Sequence, residues 1–309
     1  MTGDVIDYSP VVLRLDPPVA TIVMRDHEGR NAIRPPLQRA MRRALATAAA
    51  EEDIRVVVVT GLPEVFCAGA ARETLLGVEG GQKHDDYEPF ARLFPRCPLP
   101  VITAMDGHAI GGGLVVGLYA DIPVLSERSL YAANFLQYGM APYIGTTHVI
   151  PSRLGEALGA EMILTGRSYR GSELRARGAS VLVVPHDKVM STAKALAHQV
   201  AKAPRRSLEL VKAQLSARIM AATDTAMAAE LGPHLDSAKL PVVRQLAASG
   251  YGPPTPASAM TTHVPGNGSR VLPAAGRAPS LDAGAAREIA SGHAAHPADT
   301  RGPYMIEGR

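Results

Sequence analysis

The chain is 309 residues long, 46% hydrophobic and only 4% aromatic, lacks tryptophan, and carries a formal net charge of +3. That length suffices for one or two domains with a full core, which must be aliphatic, built from Val, Leu, Ile, Met and Ala. The small charge, with no dense basic stripe and no nucleic-acid motif, argues against DNA or RNA as a partner; no apolar run approaches the roughly 20 residues of a membrane span.

At the N-terminus, Asp4 and Asp7 stand where a secretory leader would need apolar residues, so no signal peptide is expected and a cytoplasmic protein is. Val19–Met24 (VATIVM) reads as a strand. Pro35 can open a helix at its first turn, where its missing N–H costs nothing, and Leu37, Met41 and Leu45 follow on one face at four-residue spacing. Val56–Thr60 (VVVVT) is a buried strand ended by Gly61, and Val101–Met105 and Ile122–Leu125 are two more. Gly111–Gly113 lead from the Val101 strand into an apolar helix that runs to about Ala120. Val181–Val184 is a last short strand, closed by Pro185. Strands alternating with helices predict an α/β architecture. Helices then take over: Val189–Ala203, Arg206–Ala217, and roughly Ala221–Leu246 with a break at Gly232-Pro233. From Pro253 to Arg309 the chain turns to Ala, Gly, Pro and Ser, which cannot bury enough apolar area to offset ordering entropy, so a disordered tail is expected. Its last residues, Ile306-Glu307-Gly308-Arg309, read equally as a protease-recognition linker or as an ordinary terminus.

Cys67 and Cys97 lie far apart, with no CxxC and no His at metal spacing, so neither a disulfide framework nor a metal site is expected. Two segments carry more information: Phe66-Cys67-Ala68-Gly69-Ala70 after the Val56 strand, and Gly107-His108-Ala109-Ile110-Gly111-Gly112-Gly113 after the Val101 strand. Small residues at such turns let a ligand approach the backbone, and a helix start presents unpaired N–H groups. Two of these converging on one oxygen would form an oxyanion hole for a thioester enolate. Taken singly, each run is equally a tight turn with close helix packing. A nucleotide site is excluded, because the GxGxxG spacing and the Walker lysine are both missing.

Together these pieces resemble the enoyl-CoA hydratase/isomerase, or crotonase, superfamily. The likeness runs from about Val11 to Leu246 through GRNAI (Gly29–Ile33), FCAGA, PVITAMDGHAIGGG (Pro100–Gly113), YADI (Tyr119–Ile122) and LTGRSYRGSELRARG (Leu164–Gly178). It implies a spiral of ββα turns over residues 1–200, a C-terminal helical region over 201–251 that assembles trimers or dimers of trimers, and a tail over 252–309. It also implies that Ala70 and Gly112 supply the two oxyanion N–H groups, with Ala68 beside them.

Hydratases of this family place one glutamate two residues after the GGG and another about twenty residues on. The corresponding residues are Val115 and Phe135, and neither can move a proton. The segment from His108 to Leu154, YAANF at Tyr131–Phe135 and the loop Glu73–Lys83 resemble instead the decarboxylases of polyketide β-branching. That likeness implies a substrate, 3-methylglutaconyl, carried on the phosphopantetheine of an acyl carrier protein, with no other cofactor. It implies a catalytic pair, Lys83 (or its neighbour His84) and His234, and an acyl pocket of Ala68, Val115, Tyr131, Asn134 and Phe135. Lys202, Arg205, Arg206 and Lys212 form a basic cluster that reads as a solvated face or as a docking site for an acidic carrier. Rival readings are a dehydratase or isomerase of the same superfamily, or a carrier-binding protein without catalysis.

Overall fold

A computed structural model describes residues 3–71 and 90–250. Three antiparallel strands open the fold: β1 (Asp4–Asp7), β2 (Val11–Asp16) and β3 (Val19–Met24). Helix α1 (Pro35–Ala50) follows, then β4 (Val56–Thr60), β5 (Val65–Cys67), the single turn α2 (Leu93–Arg96), β6 (Val101–Met105), β7 (His108–Ile110) and α3 (Gly112–Leu118). After β8 (Ile122–Ser126) and β9 (Leu130–Ala132), a 3-10 turn over Asn134–Tyr138 leads into α4 (Thr146–Leu154) and α5 (Glu156–Thr165). Then come β10 (Ser168–Arg170), α6 (Gly171–Ala176), β11 (Leu182–Val184), α7 (Val189–Val200), α8 (Arg205–Ala238) and α9 (Pro241–Gly250).

The strands form two sheets, ordered β1-β2-β3-β4-β6-β8-β11 and β10-β9-β7-β5. Within the larger one, β3, β4, β6, β8 and β11 run parallel. Strands β4, β6 and β8 each lead, after a short turn, into a strand of the smaller sheet, and this repetition is the ββα spiral. Parallel strands covered on both faces read as unbroken apolar runs. Accordingly Val56–Val59 are all fully buried, with Val57 and Val59 in the main core and Val56 and Val58 packed with Val189, Ala193 and Ala197 of α7. No helix among the described residues is long and apolar enough to cross a membrane.

The C-terminal helices differ from expectation. No break occurs at Gly232-Pro233; α8 runs unbroken for 34 residues, and the chain turns only at Lys239 and Leu240, before Pro241. Proline removes one helical hydrogen bond, here to the carbonyl of Ala229. Both residues lie on the exposed side, where water can replace that bond. The opposite side carries Thr223, Met227, Glu230, His234 and Ala238, all buried at helical spacing on either side of the proline. Packing therefore overrides the local breaker.

The basic cluster also dissolves. Lys212 is 3% exposed; its Nζ lies 2.6 Å from Asp121 Oδ2 and donates to the Phe94 carbonyl at 2.9 Å. Arg205 closes the end of α1, donating to the carbonyls of Ala49, Glu51 and Ile54. Arg206 pairs with Glu209 and Lys202 binds Gln199. Lys212 and Arg205 are thus anchors within the fold, while Lys202 and Arg206 are solvated side chains with local partners, as one of the two readings expected. The expected tail, 252–309, lies outside the described residues.

Candidate active site

The site is assembled by short connections between the two sheets. In the turn before α1, Arg30 and Asn31 both adopt left-handed backbone, with φ of 51° and 54°. Asn31 is wholly buried and compensates through its side chain: Nδ2 donates to the carbonyls of Met24 (3.2 Å) and Phe66 (3.1 Å), and Oδ1 accepts from Asp26 N–H at 2.9 Å. Asn tolerates this conformation better than most residues because its side chain bonds locally. The same turn grips the next connection, since Ile33 N–H donates to the Gly69 carbonyl at 2.8 Å and Ile33 bridges Ala70 in parallel.

Gly69 and Gly111 are required by geometry. Gly111 has φ 54° and ψ −125°, which side-chain-bearing residues rarely adopt. A Cβ on Gly69 would lie 2.5 Å from the Ile110 carbonyl and 3.4 Å from Gly112 N, so the loop that carries Ala70 sits against the start of α3. As the first residue of that helix, Gly112 has an N–H with no intrahelical acceptor. Apolar side chains flank it: the Cδ1 atoms of Ile33 and Ile144 lie 3.2 and 3.5 Å from where a Cβ on Gly112 would stand. Ala68 and Ala70 are half-buried.

Ile144 belongs to a strained loop. Its φ is 65°, a conformation that costs a β-branched residue of order 1–3 kcal/mol and persists only where the surroundings enforce it. The enforcing contacts come from α3 and α8. Tyr119 Oη donates to the Ile144 carbonyl at 2.8 Å. Glu230, buried on α8, accepts from Gly145 N–H (2.7 Å), Thr147 N–H (2.7 Å) and the Thr147 hydroxyl (2.6 Å). Its carboxylate thus sits at the N-terminus of α4, where negative charge is favoured. One turn on, His234 is 7% exposed, with Nδ1 2.7 Å from the Ala141 carbonyl and its ring stacked on Tyr143 at 5.3 Å. Because a carbonyl only accepts, Nδ1 carries the proton in this contact.

The remaining expectations fall as follows. Lys83 and His84 lie outside the described residues. Asn134 reaches the glycine turn, its Oδ1 3.1 Å from where a Cβ on Gly111 would be, and Phe135 is half-buried and packs on the core. Val115 and Tyr131 are both fully buried. The Tyr131 hydroxyl donates to the Met105 carbonyl and accepts from Ser126 N–H, each at 2.8 Å, so it is a structural pin between the sheets. Burial pushes the Cys67 thiol up to about 12, and its Sγ donates to the Asn31 carbonyl, as befits a small core side chain. His108 accepts from Leu130 N–H and is structural. Glu230, Tyr119 and Ile144 were not singled out from sequence; their only signal was an acid and an aromatic at otherwise apolar helical positions.

Residues 16–239 match the family model for enoyl-CoA hydratase/isomerase. The chain is 35% identical over 217 residues to the bacillaene synthase decarboxylase PksI of Bacillus subtilis, covering 70% of this chain and 86% of that protein. It is 31% identical over 247 residues to a probable enoyl-CoA hydratase, EchA14, of Mycobacterium tuberculosis, covering 76% and 94%. Among solved structures, the ECH2 decarboxylase domain of CurF from Lyngbya majuscula superposes with a TM-score of 0.74 at 35% identity, covering 79% of this chain and all of that domain.

Proposed function

Because the chain belongs to the enoyl-CoA hydratase/isomerase family, we propose that it is a decarboxylase, converting 3-methylglutaconyl-acyl carrier protein to a 3-methylcrotonyl-type thioester in polyketide β-branching. One observation carries the choice of reaction: the two positions where hydratases hold glutamates are Val115, sealed in the core, and Phe135. Water addition has no acid–base pair there. The likeness to the PksI and CurF decarboxylases supports the same choice.

In this reading the thioester oxygen lies between the N–H groups of Ala70 and Gly112. The bond from the γ-carbon to the carboxylate breaks, CO2 leaves, and the electron pair delocalises through the double bond onto the thioester oxygen as a dienolate. Removing one such N–H donor typically costs about 3–4 kcal/mol of transition-state stabilisation. Ile33 and Ile144 shield that oxygen from water, which strengthens the hydrogen bonds. Lys83 and His234 orient the departing carboxylate, and one of them returns a proton to carbon; the Nδ1–Ala141 bond makes Nε2 the donating nitrogen of His234. Asn134 and Ala68 border the acyl chain.

We further assign the assembly to a homotrimer or a dimer of trimers, built through α8, where Leu210, Val211 and Leu215 are each at least half exposed.

Mass spectrometry of carrier-bound substrate tests the function. Loss of one CO2 per acyl group supports decarboxylation, loss of water means dehydration, and an unchanged mass means a binder. Full turnover by both Lys83→Ala and His234→Ala would refute the catalytic pair.

A further inference from the structure

Between Gly29 and Ala50 the sequence holds five arginines and no acid. Three of them, Arg39, Arg42 and Arg43, project from the exposed side of α1 at three- and four-residue spacing, so they form one basic face about 6 Å long. Several other surface arginines are paired, as Arg25 with Asp7, Arg167 with Glu173 and Arg177 with Glu161, while ones unpaired among the described residues, such as Arg14, Arg96 and Arg218, stand singly. Among the described residues, no carboxylate pairs with Arg39, Arg42 or Arg43, and Arg43 lies over the Tyr8 ring at 4.8 Å. Arg34 is the N-cap of α1, where a cation opposes the helix dipole; it lies in line with buried Gln38 and Met41 and not with the arginine face, it caps nothing, and its Nε is buried without a hydrogen-bond partner. Three cations gathered on one face without a carboxylate suit an anionic partner.

The position of the helix says which one. Arg34 directly follows Ile33, which bridges Ala70 and whose Cδ1 flanks Gly112. The N-terminal end of α1 therefore adjoins the residues proposed to hold the thioester oxygen. We propose that the exposed face of α1, formed by Arg39, Arg42 and Arg43, is the docking surface for an acidic acyl carrier protein. This rests on the carrier-bound substrate proposed above. The carrier's acidic side chains meet these three arginines.

The test uses the full chain, a free-standing carrier protein of net negative charge in its phosphopantetheine form, and the same acyl group on bare pantetheine. The triple variant Arg39→Glu/Arg42→Glu/Arg43→Glu is compared with Lys202→Glu/Arg206→Glu as a control. The triple variant should bind the carrier at least tenfold more weakly, while kcat/KM for the pantetheine thioester and carrier binding by the control stay within twofold of wild type. Salt should weaken carrier binding by wild type far more than by the triple variant. Unchanged carrier affinity in the triple variant would overturn the proposal. So would equal losses on carrier and pantetheine substrates, because the arginines would then serve the fold or the site. Because binding is read without turnover, a wild type that binds carrier but releases no CO2 would refute the decarboxylase and leave the docking face standing.

Discussion

Glu230→Ala is the sharpest perturbation of the site. The carboxylate accepts three hydrogen bonds, from Gly145 N–H, Thr147 N–H and the Thr147 hydroxyl. Gly145 is buried, so its stranded donor should cost about 1–3 kcal/mol; Thr147 is exposed, and water can recover most of its two bonds, leaving about 1 kcal/mol. Loss of the negative charge at the start of α4 adds about 0.5 kcal/mol. Relief from burying a carboxylate offsets part of this, giving a net loss of about 3 kcal/mol. Urea denaturation at fixed protein concentration should show it as a lower midpoint with an unchanged slope. Glu230→Gln should recover little, because its amide must point a donor at one of the existing donors. The local signature is faster amide exchange at Gly145 and Thr147 than in β4 or β6. A loss under 1 kcal/mol, with protection of the Gly145 amide intact, would refute the view that this carboxylate holds the strained loop.

Three further outcomes follow from the electrostatics. Cys67, fully buried with its thiol pushed up to about 12, should resist a thiol reagent at pH 8 in the native protein and react on denaturation. Since its unfolded thiol ionises near 9 and the folded one does not, the associated stability is complete below 9 and declines as pH rises towards 12; Cys67→Ala should flatten that alkaline limb of a melting profile. Lys212→Ala should cost about 3–5 kcal/mol, because Asp121 keeps a poorly solvated charge without its cation, whereas Lys212→Met combined with Asp121→Asn should cost less. Hydrogen bonds from Arg177 and Tyr169 hold the Glu161 carboxyl down at about 2 from an ordinary 4.5, so its contribution is present above 4.5 and fades as pH falls towards 2; Glu161→Gln should flatten that acid limb in melting scans, with a smaller difference in high salt because the pairs are exposed.

Much of this architecture was legible before any coordinates. The valine run of β4 and the strands β6 and β8 read directly, because burial on both faces leaves an unbroken apolar string. Of the three-residue strands, β11 read from its apolar run and the closing Pro185, whereas β5, β7, β9 and β10 did not, being too short for any period to register and lacking such a stop. Pro233 misled because a local breaker says nothing of which side of the helix it occupies. In the site, the glycine turns at Gly69 and Gly111 were legible because their chemistry is backbone chemistry. Glu230 was not, since an acid in a long helix looks solvated until Gly145 and Thr147 arrive from 83 or more residues away. The basic cluster around Lys212 failed for the same reason: its acid, Asp121, is 91 residues distant.

A helix of 34 residues is a rod roughly 50 Å long. This rod is fastened near one end to the turn before β8, through Lys212 and Asp121, and towards the other it holds the loop over 141–147 through Glu230 and His234. Shortening the chain ahead of Thr223 would therefore leave the strands in place while stripping the candidate site of Glu230 and His234, so the second half of α8 is a poor place to cut or fuse.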